Sequence, residues 1–250
     1  MVERLLEGRR ALVTGVSDPR SIGYGVASLF LRAGAEVAIV DRDPDKVAAT
    51  AASLGQGAFP FAADIGEESS VLALFGALRE RWDGLDVLVN NAGIAQPGKV
   101  DAISTADFDR MIGVNLRGTF LVSREAVGLM AAGASIVCIA SIAAQRGGGL
   151  MGGSHYAASK GGVVGLVRGM ARDLGPRGIR VNAVNPGVIW TGMTIGFYDD
   201  ALEKKVLEQI PLNEFGTPED VAMACLYLGS SMSRYVTGVC LDVNGGMYMS

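Results

Sequence analysis

The sequence predicts one α/β domain over residues 1–250: a doubly wound, mostly parallel seven-stranded sheet with helices on both faces. Two observations lead there. Seven short apolar runs alternate with stretches of helical periodicity, the pattern of successive β–α–β units. Nothing resembling a linker or an internal repeat interrupts that alternation. Size agrees, since 250 residues, nearly half of them apolar, suffice for a single large core.

The first strand spans 11–14 and ends at Gly15. A polar loop follows, then Gly23-Tyr-Gly25 and a helical pattern over 26–34. Strand, glycine turn and helix in this order suit a pyrophosphate, which the free amides and positive end of a helix attract. The second strand, 37–40, ends at Asp41-Arg42. A carboxylate at that place can accept hydrogen bonds from an adenosine ribose and repels a 2′-phosphate, which favours NAD. Arg42 points the other way, because a guanidinium can pair with the phosphate of NADP. Alternatively Asp41 caps the next helix, although the upstream loop favours the ribose.

A third strand over 59–63 ends in Asp64-Ile65 before a helix at 67–82. The fourth, 86–89, runs into Asn90-Asn91-Ala92-Gly93, where small residues admit a flat ring and an asparagine can tie strand ends together. Residues 104–131 read as one or two long helices with Asn115 inside. A polar residue among Val114, Leu116, Phe120 and Leu121 is either satisfied by local backbone bonding or placed for function. The fifth strand, 134–140, delivers Ser141 to the sheet edge where ligands bind. A loop over 145–154 carries five glycines. A long helix and a sixth strand (178–184) follow, then Asn185-Pro186-Gly187. Residues 193–215 read as helical, part of a lid at about 188–215. A last helix begins at Pro218 with acids in its first turn, and the last strand covers 238–243.

The chemistry centres on Tyr156-Ala-Ala-Ser-Lys160. Four residues apart on a helix, the phenol and the ammonium share one face. A nearby cation favours the ionised phenol, which otherwise titrates near ~10.

Composition narrows the partners. Net charge is −4 with no run of like charge, which argues against nucleic acid or an anionic membrane. The charged N-terminus does not suit a signal peptide, and no apolar run approaches the ~20 residues of a membrane span. Cys138, Cys225 and Cys240 lack ligand spacing and read as small core residues in a reducing compartment, so a cytoplasmic protein is expected. With His155 the only histidine, no metal site is expected.

Taken together, Thr14-Gly15, Ser21-Ile-Gly-Tyr-Gly25, Asp64-Ile65, Asn90-Asn-Ala-Gly93, Asn115, Ser141, Tyr156-Ala-Ala-Ser-Lys160, Pro186-Gly187 and Asn244-Gly-Gly246 resemble the short-chain dehydrogenase/reductase family over essentially the whole chain. The resemblance implies a Rossmann fold, a nicotinamide cofactor and a homo-oligomer, often a tetramer. It implies that Gly15, Ser21 and Ile22 line pyrophosphate and ribose. Asp64 and Ile65 would hold the adenine, with Asn91, Ala92 and Gly93 beneath it. Asn115, Ser141, Tyr156 and Lys160 would form the catalytic tetrad, Tyr156 and Lys160 also meeting the cofactor. Pro186, Gly187, Ile189 and Thr191 would lie toward the nicotinamide.

Two departures matter. Five residues separate Gly15 from Ser21, where three are usual and a glycine usually stands. That longer loop is similar to enoyl-acyl-carrier reductases, whereas Y-A-A-S-K is the carbonyl-reductase spacing. The Ser141-to-Tyr156 interval is also longer than usual.

The expected reaction is hydride transfer between the cofactor and a secondary alcohol or ketone: a small alcohol, a polyol or a cyclic ketone. Candidate walls are Ile142, Gln145, Met151, Trp190, Met193, Phe197 and Tyr198. A 3-oxoacyl-carrier substrate would want a basic docking surface, and residues 127–145 hold no Lys or Arg, although Arg168 and Arg172 could assemble one. A non-catalytic dinucleotide sensor has no use for the filled tetrad. The helices at 104–131 and 156–173 are the expected oligomer face.

Overall fold

A computed structural model describes residues 4–148, 151–192, 194 and 199–249. Strands β1 (Arg10–Thr14), β2 (Glu36–Asp41), β3 (Ala58–Ala62), β4 (Val87–Asn90), β5 (Ser135–Ile139), β6 (Arg180–Pro186) and β7 (Cys240–Val243) form one sheet of order β3-β2-β1-β4-β5-β6-β7. Every pairing in it is parallel. The predicted fold class is therefore met, with strand ends within two residues of the expected ones for all seven strands. The largest shifts are in β6, which starts and ends two residues later than expected and runs through Pro186, and in β7, which starts two residues later.

Alternation along the strands divides the core in two, because successive side chains point to opposite faces. Leu12, Ile136 and Cys138 face α3 (Glu68–Arg81), α5 (Thr119–Ala126) and α7 (Ser154–Leu174). Ala11, Val13, Val137 and Ile139 face α1 (Ile22–Arg32), α2 (Pro44–Leu54) and α9 (Pro218–Gly229). Phe75 and Phe30 are fully buried in the two layers, each contributing on the order of 2–3 kcal/mol of burial.

Helix α1 starts at Ile22, four residues before the expected pattern, because Ser21 caps it by accepting from Tyr24 N at 3.1 Å. Residues 104–131 do not form one or two long helices. The stretch divides into α4 (Thr105–Ile112), a π-helix (Gly113–Gly118) and α5, and it turns after residue 126. A π turn is rare and often marks a functional position; Asn115 lies within it. The glycine loop also holds a short helix, α6 (Ala143–Arg146), that periodicity did not show. In the expected helical lid, the described helix is α8 (Asp200–Leu207) alone. Ile189 bridges Gly216, and Trp190 stacks on Phe215 at 5.3 Å and 13°. Helix α9 starts at Pro218 as expected, under a capping box of Thr217 and Asp220. No helix among the described residues is long and apolar enough to cross a membrane.

Candidate active site

The sheet order reverses between β1 and β4, which leaves a crevice beyond their C-terminal ends. Two glycines shape its floor. Gly15 has φ +76°, and a Cβ there would come within 2.7 Å of Ala92 Cα. A Cβ on Gly23 would fall onto the Gly15 carbonyl oxygen. Positions 15 and 23 therefore admit no side chain, which lets the two backbones approach closely at the turn. Asn91 ties the strand ends as expected, its Nδ2 donating to the carbonyls of Thr14 (2.9 Å) and Gly15 (2.8 Å). Thr14 Oγ1 in turn accepts from the amides of Asn91 and Ala92, each at 3.0 Å.

At the end of β2, Asp41 Oδ2 accepts from the amides of Val16 (3.1 Å) and Ser17 (3.0 Å). It does not cap α2; Asp43 does, accepting from Asp45 N and Lys46 N. The carboxylate is thus held at the rim of the glycine loop. Arg42 is exposed, and its guanidinium forms no ion pair among the described residues. Asp64 is exposed, and its Oδ1 accepts from Gly66 N at 2.8 Å. Ile65 is buried in the core, pressed on Gly118 of the π-helix.

Four side chains expected to act together do converge. Lys160 is 6% exposed, its Nζ donating to Ile139 O at 2.8 Å and standing 5.9 Å from the Tyr156 ring centroid. The Ser141 hydroxyl, which accepts from Ala143 N at 3.1 Å, lies near enough to the phenol to favour its ionised form. Gly93 separates Asn115 from Lys160, since a Cβ on it would lie 3.1 Å from Asn115 Oδ1 and 3.6 Å from Lys160 Nζ. The Asn115 side chain is not satisfied by local backbone. Its Oδ1 accepts from Ile94 N (2.8 Å), and its Nδ2 donates to Ile94 O (2.9 Å) and Ser159 Oγ (3.0 Å), with Met111 Sδ a local contact at 3.2 Å. It clamps the π-helix to the exit of β4 and to α7.

The electrostatics differ from the expectation that Lys160 lowers the phenol's pKa. Desolvation pushes Tyr156 above its ordinary value, and the Ser141 hydroxyl offsets this only in part. Desolvation also pushes Lys160 down to about 8. Burial penalises both charged forms, and at the separation seen here the ammonium does not reverse the effect on the phenol.

On the β6 side, Pro186 O accepts from Ile142 N at 3.2 Å, joining that strand end to the Ser141 turn. Gly187 packs against Asn244, where a Cβ would meet Asn244 Cα at 2.8 Å. Ile189 is buried, and Thr191 N donates to Thr194 Oγ1 at 2.7 Å. Ile22 packs against the core under α1. Among the expected substrate walls, Ile142 is buried, Met151 half-buried, and Gln145 and Trp190 exposed. Met193, Phe197 and Tyr198 lie outside the described residues. The candidate set drawn from the sequence omitted Thr14, Gly23, Ile94 and Ser159, which brace it. Thr14 and Gly23 were visible at the strand–turn–helix junction; Ile94 and Ser159 act through long-range bonds that carry no local signal.

A family profile described as "Enoyl-(Acyl carrier protein) reductase" matches residues 15–248. A short-chain type dehydrogenase/reductase of Sinorhizobium fredii is 41% identical, over 97% of this chain and 98% of its own. The chain belongs to the short-chain dehydrogenase/reductase family. It is also similar to a 3-oxoacyl-[acyl-carrier-protein] reductase of Aquifex aeolicus, 36% identical over 99% of this chain and 100% of that one. Among solved structures, a short-chain dehydrogenase/reductase of Brucella melitensis described as glucose/ribitol dehydrogenase superposes with a TM-score of 0.89. It is 34% identical and covers 99% of this chain and 100% of its own. Membership makes the chain an oxidoreductase of the kind that uses a nicotinamide cofactor. The cradle at Gly15 and Gly23, which any side chain would fill, fits such a group.

Proposed function

We propose that this oxidoreductase interconverts a secondary alcohol and its ketone, with Tyr156 as the proton-transferring group and NAD as the preferred cofactor. The carrying observation is the Tyr156 phenol, set near the Ser141 hydroxyl and 5.9 Å from buried Lys160, beside the glycine cradle. Hydride exchange with the substrate carbon is the chemistry the bound cofactor supplies. Gly15, Ser21 and Ile22 hold its pyrophosphate side, and Asp41 meets the adenosine ribose. Asp64, Ile65 and the Asn91–Gly93 turn border the adenine. Lys160 meets the nicotinamide ribose, and Pro186, Gly187, Ile189 and Thr191 take the nicotinamide end. Asn115 holds a water that links Lys160 to solvent.

Tyr156 gives its proton to the ketone oxygen in reduction and accepts the alcohol proton in oxidation. Ser141 donates to the same oxygen and fixes its position. A phenol with a raised pKa is neutral at pH 7, which suits it to donate. Reduction is therefore expected to run best near neutrality, and oxidation to gain as pH rises.

The test follows reduced-cofactor absorbance over secondary alcohols, polyols and cyclic ketones, with NAD and NADP separately, beside Tyr156→Phe. Turnover should fall at least a hundredfold in the variant, with cofactor binding kept. A variant of near-full rate would refute the role of Tyr156. Faster turnover with NADP would show that Arg42 outweighs Asp41.

A second reading, reduction of 3-oxoacyl groups on a carrier protein, is favoured by the likeness to the Aquifex reductase. Arg168 and Arg172 are exposed on α7 and would form its docking patch. An acetoacetyl thioester included in the panel distinguishes the two: preference for it over every free ketone selects the carrier reading.

A further inference from the structure

His155 is the sole histidine of the chain, and the site described above makes no use of it. It lies in the first turn of α7, next to Tyr156, and is 1% exposed. Neither ring nitrogen has a hydrogen-bond partner among the described residues. A neutral imidazole carries one N–H donor and one acceptor, so two polar functions are buried unpaired whichever tautomer is present. Buried polar groups are normally satisfied, and an apolar side chain would fill the same space without the penalty.

The surroundings name a partner. Gly153 lies against the ring: a Cβ on it would meet His155 Cε1 and Nδ1 at 2.9 Å and the Gly98 carbonyl oxygen at 2.7 Å. The Nδ1 side of the imidazole and the Gly98 carbonyl thus flank the same glycine without bonding. Gly98 belongs to the segment that leaves β4, and that segment is already anchored here by the bond from Gly153 N to Gln96 O at 3.0 Å. The same segment starts at Gly93, which borders Asn115 and Lys160, and its Ile94 is held by Asn115. On the far side, Gly152 is pressed against the Tyr156 ring. Segment 93–98 thus runs from the residues that border Asn115 and Lys160 to the carbonyl beside His155.

We propose that His155 is a positioning residue: when the dinucleotide cleft fills, its Nδ1–H closes onto the Gly98 carbonyl and locks segment 94–98 against the start of α7, holding Tyr156 in line. The proposal rests on Tyr156 being the proton-transferring group. Because the chain has one histidine, ¹⁵N-histidine NMR reports this imidazole alone. On adding NADH to the full-length wild-type protein, a slowly exchanging, hydrogen-bonded Nδ1–H signal is expected to appear. A ring signal unchanged by saturating NADH overturns the proposal.

Two variants give a second readout on the best substrate of the panel. His155→Leu should melt no lower than wild type and bind NADH normally, yet lose about tenfold in kcat with little change in KM. His155→Asn, whose amide can donate from nearly the Nδ1 position, should recover most of that loss. A leucine variant within twofold of wild-type kcat overturns the proposal. So does equal loss in both variants accompanied by a lower melting temperature, which marks a packing role. Failure of the underlying assignment is visible separately, as retained turnover in Tyr156→Phe.

Discussion

Tyr156 and Lys160 show how one helical turn can be chemically right and electrostatically incomplete. Their spacing places both on one face of α7, but burial sets the sign of each shift. Lys160 falls from its ordinary 10.5 to about 8, so the unfolded chain binds more protons between those two values. Stability therefore rises with pH across that window, and below pH 8 the full penalty of the buried ammonium is present, at most about 3 kcal/mol. Lys160→Met should remove the penalty. Urea melts at pH 7.5 should show the variant as stable as wild type or more so, with the gap narrowing by pH 10, while turnover is lost. A variant less stable at pH 7.5 would show that the bond to Ile139 O outweighs the cost of burying the charge. Asp41 makes a similar point, since its Oδ2 accepts from two loop amides 24 and 25 residues upstream and its Oδ1 from the neighbouring Arg42 N, rather than capping the helix that follows.

At the scale of elements, the β1–turn–α1 unit is the most locally determined part of the site. Thr14, Gly15, Ser21 and Gly23 make the strand end, the left-handed turn, the cap and the close approach in order. Gly23→Ala tests that unit. Its methyl group would fall on the Gly15 carbonyl, beside Asn91 Nδ2 at 2.5 Å, so β1 and α1 cannot keep their spacing. NADH affinity, measured by fluorescence titration, should weaken at least tenfold, and the melting temperature should drop by several degrees, as for a clash of about 1–3 kcal/mol. Unchanged affinity would mean that the turn is not the cofactor cradle. The π-helix is the opposite case. Val114 to Leu121 looks like ordinary amphipathic helix, and the extra residue per turn is explained only by Asn115 reaching Ile94 and Ser159.

For the whole molecule, α4, α5 and α7 make one outer face, and Phe108 and Phe120 each stand 43% exposed on its first two helices. We propose that copies of the chain pair through this face in a homo-oligomer. Phe120→Arg places a charge where the interface would be dry, and light scattering should then report a smaller particle than wild type. If the mass does not change, the pairing face lies elsewhere; Met223, Met232, Tyr235 and Val239, exposed on α9 and before β7, form the other apolar set.

The order of strands and helices, the ends of most elements and the convergence of Asn115, Ser141, Tyr156 and Lys160 on one sheet edge were legible in the amino-acid sequence. Element order follows from period-two and period-3.6 patterns and the Tyr156–Lys160 pairing from one helical turn, whereas the joining of Asn115 and Ser141 to that pair was implied by the resemblance to the family's motif set. Tertiary structure alone decided that Asp41 serves the glycine loop, that Asn115 bends its helix into a π turn, and that burial raises the Tyr156 pKa. It alone left His155 buried without a hydrogen-bond partner among the described residues. These outcomes depend on desolvation and on hydrogen bonds between residues 20 to 45 positions apart, and no local spacing encodes either.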